Sequence, residues 1–166
     1  MYTDVITALE TQLKNTITLL ESFTEDEMNK TPFEGSWTAA QAGEHLRKVS
    51  YKTDEVLLAA AGAASREPDE RAAEFKNIFL NYDSKFTAPV FVNPEYKIYE
   101  KQRLINALTK AKNAIIKAAY KAGLTKVAPL PAQHPLAGIT KLELLHFLTY
   151  HTQRHNYQLQ KIKEMI

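Results

Sequence analysis

A chain of 166 residues, 45% of them hydrophobic, is long enough to bury one core and too short to predict two independent domains. Its 21 basic and 19 acidic residues are spread over the predicted helices, which argues against the concentrated basic patch of a nucleic-acid-binding protein. Cysteine is absent, so disulfides, thiolate ligands and a cysteine nucleophile are excluded. We therefore expect a single domain spanning residues 1–166.

The amino terminus carries Asp4 and Glu10 where a secretory signal would have a basic start and an apolar run. The sequence contains no uncharged apolar run of about eighteen residues, the length that a membrane span needs. The lack of cysteine is compatible with a reducing compartment. We therefore expect a cytoplasmic protein without a membrane or nucleic-acid partner.

The first predicted helix runs from Asp4 to about Ser22, where hydrophobic residues recur at helical spacing on one face. After it, Thr24 and Glu27 predict a short helical turn with a capping box. A loop that contains proline and glycine then leads to Trp37.

The second predicted helix begins at Ala39, where Thr38 and Gln41 form a capping box, and runs to about Ala64. Its apolar or small residues form a stripe that passes through His45, about two turns into the helix. This histidine is therefore expected to face the core. The stripe consists of Ala42, His45, Val49, Val56 and Ala60.

A long crossover follows the second helix. It contains one short predicted helix at Asp69–Tyr82, and the two prolines and Asn93 that follow argue against another long element. The third long helix is predicted from Tyr99 to Ala122, with a glycine stop directly after it. The next segment, up to residue 139, is rich in proline and is expected to be irregular.

The fourth predicted helix begins with the capping box of Thr140 and Glu143. Its inward stripe contains two histidines where a core helix would have leucines. Because residues four apart lie one above the other on a helix, His151 and His155 can direct their imidazoles to a single point. The stripe consists of Leu144, Leu148, His151, His155, Gln158 and Ile162.

Four helices of this length joined by long connections predict an all-α four-helix bundle. Bundles build metal sites from inward side chains of facing helices, so His45, His151 and His155 are the candidate metal ligands. Two histidines four apart arise often by chance, and the third histidine on a second core stripe is what strengthens the prediction. The alternative is a hydrogen-bonded polar cluster in the core.

Three short motifs of the chain resemble those of the DinB-like superfamily of bacterial four-helix bundles. They are Ser36-Trp37-Thr38, Glu44-His45-Leu46, and His151-x3-His155 followed by Gln158. The resemblance covers essentially the whole chain. It implies a divalent metal, zinc or nickel, held by one histidine of the second helix and two of the fourth, and His45, His151 and His155 match these positions one by one.

Members of that superfamily share an architecture and differ in activity. They include thiol S-transferases, a thiol-dependent isomerase and proteins described as metal-dependent hydrolases. The resemblance therefore implies an enzyme acting on a small molecule, by transfer of a low-molecular-weight thiol or by hydrolysis, while a bundle that binds metal or ligand without turnover stays open. Since the chain has no cysteine, a thiol nucleophile must come from a small molecule, which favours the low-molecular-weight thiol branch of the superfamily if the reaction is transfer.

No residue of the sequence matches a substrate-binding or acid–base position of that superfamily. The resemblance also suggests a homodimer, although a monomer stays open. The apolar run Pro89–Val92 in the crossover has no assigned core partner and could cover either the bundle or a second subunit.

Other polar and aromatic residues have simpler interpretations. His146 is expected to be partly exposed at a helix edge, and His134 is expected to be exposed between two prolines. Trp37 is expected to pack as an aromatic anchor at the start of the second helix. Glu44 lies next to His45 but about 100° away around the helix, which argues against a role as general base.

Overall fold

The structure, a computed structural model, describes residues 2–166. Within that range the chain forms seven α-helices and a 3₁₀ turn, and its connections form two isolated β-bridges. None of these helices combines the length and the apolar character that crossing a membrane requires. The elements are α1 (Thr3–Glu21), α2 (Glu25–Met28), α3 (Ala39–Ser50), α4 (Thr53–Leu58), α5 (Ala72–Phe79), the 3₁₀ turn (Val90–Val92), α6 (Lys101–Ala119) and α7 (Lys141–Met165).

The helices α1, α3, α6 and α7 form the predicted four-helix bundle. Helices α1 and α7 run parallel, since Thr16 bonds Asn156 and Ser22, just beyond the end of α1, accepts a hydrogen bond from Lys163 near the end of α7. Helix α6 runs in the opposite direction, because its first residue, Lys101, donates to carbonyl groups at the end of α1.

Gly43 allows α3 to pack closely against α1 and α6. A Cβ at this position would lie 3.0 Å from side-chain atoms of both Leu20 and Leu104. Leu104 and Gly43 are both near the starts of their helices, so α3 and α6 run parallel and the long crossover returns the chain along the bundle. His45, two residues further on and therefore about 200° away around α3, faces α7 instead, where its ring contacts His151.

Two hydrophobic clusters fill the interior of the bundle. One cluster joins α1, α4, α6 and the start of α7, and it includes Leu148. The other joins the start of α3, the start of α6 and the end of α7, and it includes Leu159. His151 and His155 therefore lie on α7 between the parts of the helix that enter the two clusters.

The predicted extent of the second helix, Ala39 to about Ala64, is wrong. Helix α3 ends at Ser50, and Lys52 adopts a left-handed backbone with φ of 59° before α4 begins. The apolar stripe continues across this break, so the spacing of hydrophobic residues does not reveal it. The shorter helix predicted at Asp69–Tyr82 is present only as α5, and the third long helix begins and ends two to three residues inside its predicted limits.

Candidate metal centre

Helices α3 and α7 bring the three candidate ligands together. One ligand atom from each of His45, His151 and His155 lies within 4.8 Å of the others. His45 and His151 are buried, and His155 is half-buried. The residues that the sequence singled out on two separate stripes therefore form one cluster.

The nitrogen atoms of the cluster have the spacing of ligands around a small ion. Nε2 of His151 lies 3.2 Å from Nε2 of His45 and 3.3 Å from Nε2 of His155. Zinc–nitrogen bonds of about 2.0–2.1 Å in a tetrahedral site place neighbouring nitrogens about 3.3 Å apart. These two separations agree with this value, and all three ligand atoms lie within 4.8 Å of one another.

Hydrogen bonds on the far side of two rings determine which nitrogen faces the cluster. The carbonyl of Val92 can only accept, so Nδ1 of His45, 2.9 Å away, carries the proton and donates. Nδ1 of His155 likewise donates to Oε1 of Gln158 at 2.8 Å. Both rings consequently present the unprotonated Nε2, the form that binds metals, towards His151.

The ring of His151 cannot form good hydrogen bonds with both neighbouring histidines in either of its neutral forms. Within residues 2–166, Nδ1 of His151 is buried and has no hydrogen-bond partner. If Nε2 of His151 carries the proton, it can donate well to only one of the two neighbouring Nε2 atoms. If Nδ1 carries the proton, that N–H is buried without an acceptor, and the lone pairs of all three Nε2 atoms point towards one another. A divalent cation would accept all three lone pairs, so the donor set fits zinc or nickel.

Burial keeps the cluster uncharged. It lowers the pKa of His155 to about 3 and the pKa of His151 well below its ordinary value, and in both the neighbouring histidines add to the effect. Burial also lowers the pKa of His45, which the bond to the Val92 carbonyl partly offsets. Neutral imidazoles at physiological pH are the form in which histidine binds a metal.

Aromatic rings surround the histidines. Trp37, expected only to anchor the start of the second helix, packs directly on two of the histidine rings, while Phe79 and Phe147 pack on the third. These rings limit the access of water to the cluster. The distances between ring centroids are Trp37–His45 5.2 Å, Trp37–His155 6.3 Å, Phe79–His151 5.4 Å and Phe147–His151 5.1 Å.

The crossover is tied down beside the cluster by side chains that the sequence reading missed. Arg154, between the two histidines of α7, donates to the backbone carbonyls of Phe79, Asn81 and Ser84. On α3, Lys48 donates to the carbonyl of Asn93 at 2.7 Å. The sequence shows that both residues are charged and lie within predicted helices, but no local sequence pattern indicates their backbone partners in the crossover.

The other polar residues considered in the sequence lie outside the cluster. Glu44 forms a two-pronged ion pair with Arg47 at 2.6 and 2.7 Å, so its carboxylate is already engaged. His146 is half-buried and stacks on Tyr150. His134 is half-buried rather than exposed, because its ring accepts a hydrogen bond from a backbone N–H two residues on and packs near the crossover.

The fold and the cluster together define a helical bundle with a buried candidate metal centre. The family model of the DinB superfamily matches residues 8–159, so the chain belongs to this superfamily. The chain is also similar to the uncharacterised protein YuaE of Bacillus subtilis (strain 168), with 22% identity over 151 residues that cover 89% of this chain and 90% of that protein. A comparison with solved structures gives no significant match.

Proposed function

We propose that the chain is a divalent-metal-dependent enzyme that transfers a small-molecule thiol to an electrophile, with zinc or nickel held by His45, His151 and His155. The observation that supports the metal is that Nε2 of His45 and Nε2 of His155 lie 3.2 and 3.3 Å from Nε2 of His151, with their lone pairs fixed towards it. The bonds to Val92 and Gln158 orient the two outer rings.

A bound divalent ion would supply a Lewis acid that lowers the pKa of a thiol or of a water molecule, so that either could act as a nucleophile near neutral pH. In thiol transfer, a sulfur–carbon bond forms while the bond between that carbon and its leaving group breaks, and the thiol proton passes to solvent. The chain has no cysteine, which supports a thiol from solution. The half-buried ring of Trp37, beside two of the histidines, would contact an electrophile entering there.

A second candidate is a bundle that binds metal without turnover. Aromatic rings pack on all three histidines, and none of the three lines either of the two cavities at the surface between α1 and α7. A catalytic metal site needs a coordination position open to substrate, whereas a structural site is closed. This packing is the observation that favours the second candidate.

Metal titration tests the ligand set. Calorimetry with zinc and with nickel at neutral pH should give one ion per chain, and His151→Ala should weaken binding at least about 100-fold, because one of three ligands is lost. His146→Ala, a histidine of the same helix outside the cluster, should bind like the parent. Unchanged binding in His151→Ala would show that the ligand assignment is wrong.

A turnover screen tests the reaction. The zinc and nickel forms would be assayed with bacillithiol, with glutathione and without thiol, against electrophilic, ester and amide substrates. We expect turnover that requires both metal and thiol and that His155→Ala abolishes. Metal-dependent turnover without thiol would reject transfer in favour of hydrolysis, and metal binding with no turnover would favour the non-catalytic bundle.

A further inference from the structure

Helix α6 and the segment that follows it concentrate positive charge. Residues 101–142 contain eight basic residues and no acidic residue, so the rest of the chain holds all 19 acidic residues. The near balance of charge over the whole sequence therefore conceals a separation of charge along it. The eight basic residues are Lys101, Arg103, Lys110, Lys112, Lys117, Lys121, Lys126 and Lys141.

Structural contacts account for some of these charges. Lys101 donates to carbonyl groups at and just beyond the end of α1, and Lys141 donates to the carbonyl of Ala59. Lys112 lies near Glu10 of α1, and its charge, after the hydrogen bond from the lysine of α1, helps to lower the pKa of that carboxyl. These three lysines therefore serve the bundle itself.

Three other basic residues of α6 form a row on its solvent side, here called the α6 basic row. Arg103, Lys110 and Lys117 are exposed, and within residues 2–166 they form no ion pair. Residues seven apart differ by about 20° around a helix and by about 10.5 Å along it, so the row is about 40° wide and about 21 Å long. Lys121, also exposed, lies just beyond the end of the helix.

The row is unfavourable for α6 taken alone. Other helices pair surface charges internally, as Glu10 does with Lys14 in α1 and Lys161 with Glu164 in α7, whereas α6 contains no carboxylate. Arg103 lies in the first turn, where the positive end of the helix dipole disfavours a cation, and no acidic residue of that turn offsets it. An external group of negative charge would relieve this repulsion.

We propose that the α6 basic row docks an acidic α-helical segment of a partner protein, with carboxylates that recur every seven residues on one face. Two helices have the same rise per residue, so carboxylates at that interval can meet Arg103, Lys110 and Lys117 in turn when the helices lie side by side. Exposed ion pairs contribute little each, so the complex should be transient and sensitive to salt. The docking is independent of the metal centre, because the histidines lie on α3 and α7.

The surroundings of the row favour a narrow partner over a wide one. Carboxylates lie on two helices that pack beside α6, Glu10 on α1 and the exposed Glu55 on α4. Glu25 lies at the start of α6, where it accepts a hydrogen bond from the backbone N–H of Lys101. A bilayer or a nucleic acid duplex is wide enough to approach these carboxylates, which would repel it. A single helix, about 10–12 Å in diameter, can contact the row alone.

Fluorescence anisotropy of a labelled acidic peptide with the full chain tests the proposal. The probe is a peptide of alanine and glutamine about 25 residues long, enough to be helical in water, with glutamates seven residues apart on one face. A control peptide carries the same number of glutamates distributed around the helix. At low ionic strength we expect the probe to bind at least about 5-fold more tightly than the control peptide, and about 0.3 M salt should release it.

Charge reversal identifies the surface. Lys110→Glu combined with Lys117→Glu should weaken binding of the probe at least about 10-fold, because attraction becomes repulsion. Lys76→Glu combined with Lys85→Glu is the matched control, since both lysines are exposed, lie outside the row and give the same change of net charge. This control should bind the probe nearly like the parent. A peptide with lysines in place of the glutamates should bind the row variant more tightly than the parent, which also shows that the variant is folded.

Each alternative gives a different result. Equal losses in the two double variants, or equal binding of the two acidic peptides, would show a response to net charge only and would overturn the proposal. Absence of binding at low ionic strength would also overturn it and leave the row as a solvated face. Duplex DNA or vesicles of anionic phospholipid that bind more tightly than the probe, and that the row variant no longer binds, would assign the row to a nucleic acid or to a membrane instead.

Discussion

Gln158 orients the ring of the candidate metal ligand His155, although Gln158 itself does not face the centre of the cluster. Its Oε1 accepts the Nδ1 proton of His155 and so leaves Nε2 free to bind. Residues that orient a metal ligand in this way typically contribute about 10–100-fold to affinity. We therefore expect Gln158→Leu to raise the dissociation constant for zinc by about that factor, measured by calorimetry.

Gln102→Leu is the matched control for this change. Gln102 lies exposed on α6 and bonds only Asn106, so its loss should leave zinc affinity unchanged. If Gln158→Leu bound zinc like the control, the orientation of His155 would not depend on this hydrogen bond.

The lowered pKa values of the three histidines predict a pH-dependent stability of the metal-free protein. In the unfolded chain each histidine titrates near pH 6.5, whereas burial lowers the pKa of all three in the fold, for His155 to about 3. Between these values the unfolded state binds more protons, so the free energy of unfolding falls as pH decreases below about 6.5. Each histidine contributes at most about 1.4 kcal/mol per pH unit.

Denaturant unfolding of the chelator-treated protein between about pH 7 and pH 5 measures this slope, in a range where most carboxylates stay ionised. His151→Leu should unfold with a shallower pH dependence, because one buried titrating group is removed. A free energy of unfolding that does not change across this range would contradict the burial of neutral histidines.

At the scale of a single element, the start of α7 depends on a buried carboxylate. Glu143 is fully buried, forms the capping box with Thr140, accepts a hydrogen bond from the backbone N–H of Arg71 and pairs with Arg66 at 2.5 and 2.6 Å. The Arg66 guanidinium and these N–H groups outweigh burial and lower the pKa of the carboxyl. This one side chain therefore joins α7 to the connection that precedes α5.

We expect Glu143→Ala to lower the free energy of unfolding by about 3 kcal/mol, because it leaves Arg66 without its partner and removes the cap. Glu74→Ala is the matched control, since its ion pair with Arg71 is exposed and should contribute less than about 1 kcal/mol. Denaturant titration of both variants measures the difference. Equal losses would contradict a special role for the buried carboxylate.

At the scale of the whole molecule, the histidine cluster joins helices that are far apart in the chain. His45 and His151 are separated by 106 residues, so a shared ion would cross-link α3 to α7 only in the folded state. A ligand at 100 times its dissociation constant adds about 2.7 kcal/mol of stability. For a chain of this size that corresponds to a rise in Tm of about 5–10 °C.

Calorimetric melting with and without zinc measures this rise. It should be present in the parent and in His146→Ala and absent in His155→Ala, and a chelator should reverse it. A parent whose Tm does not respond to zinc or nickel would contradict the proposed metal centre and would favour the hydrogen-bonded polar cluster instead.

Local chemistry of the sequence was sufficient for the existence of the four bundle helices, for the capped starts of α3 and α7 and for the helix faces on which the three histidines lie. The capping boxes predicted at Thr24, Thr38 and Thr140 are all confirmed, because a capping box involves residues only three positions apart. The faces on which the histidines lie could also be predicted, since the helical period alone decides which residues share a face. The bundle was predicted from these features, and the resemblance to the DinB superfamily came from the three short motifs. The helical fold and the superfamily are both confirmed.

Only the tertiary structure decided what surrounds those histidines. The proton positions depend on the carbonyl of Val92 and on Gln158, the packing of Trp37 depends on two helices, and the pair of Arg66 with Glu143 joins residues 77 positions apart. The break at Lys52 was likewise hidden, because the hydrophobic stripe continues through it. Such contacts form between segments that are distant in sequence, so the periodicity within one segment cannot predict them. They are determined by the way the complete chain packs.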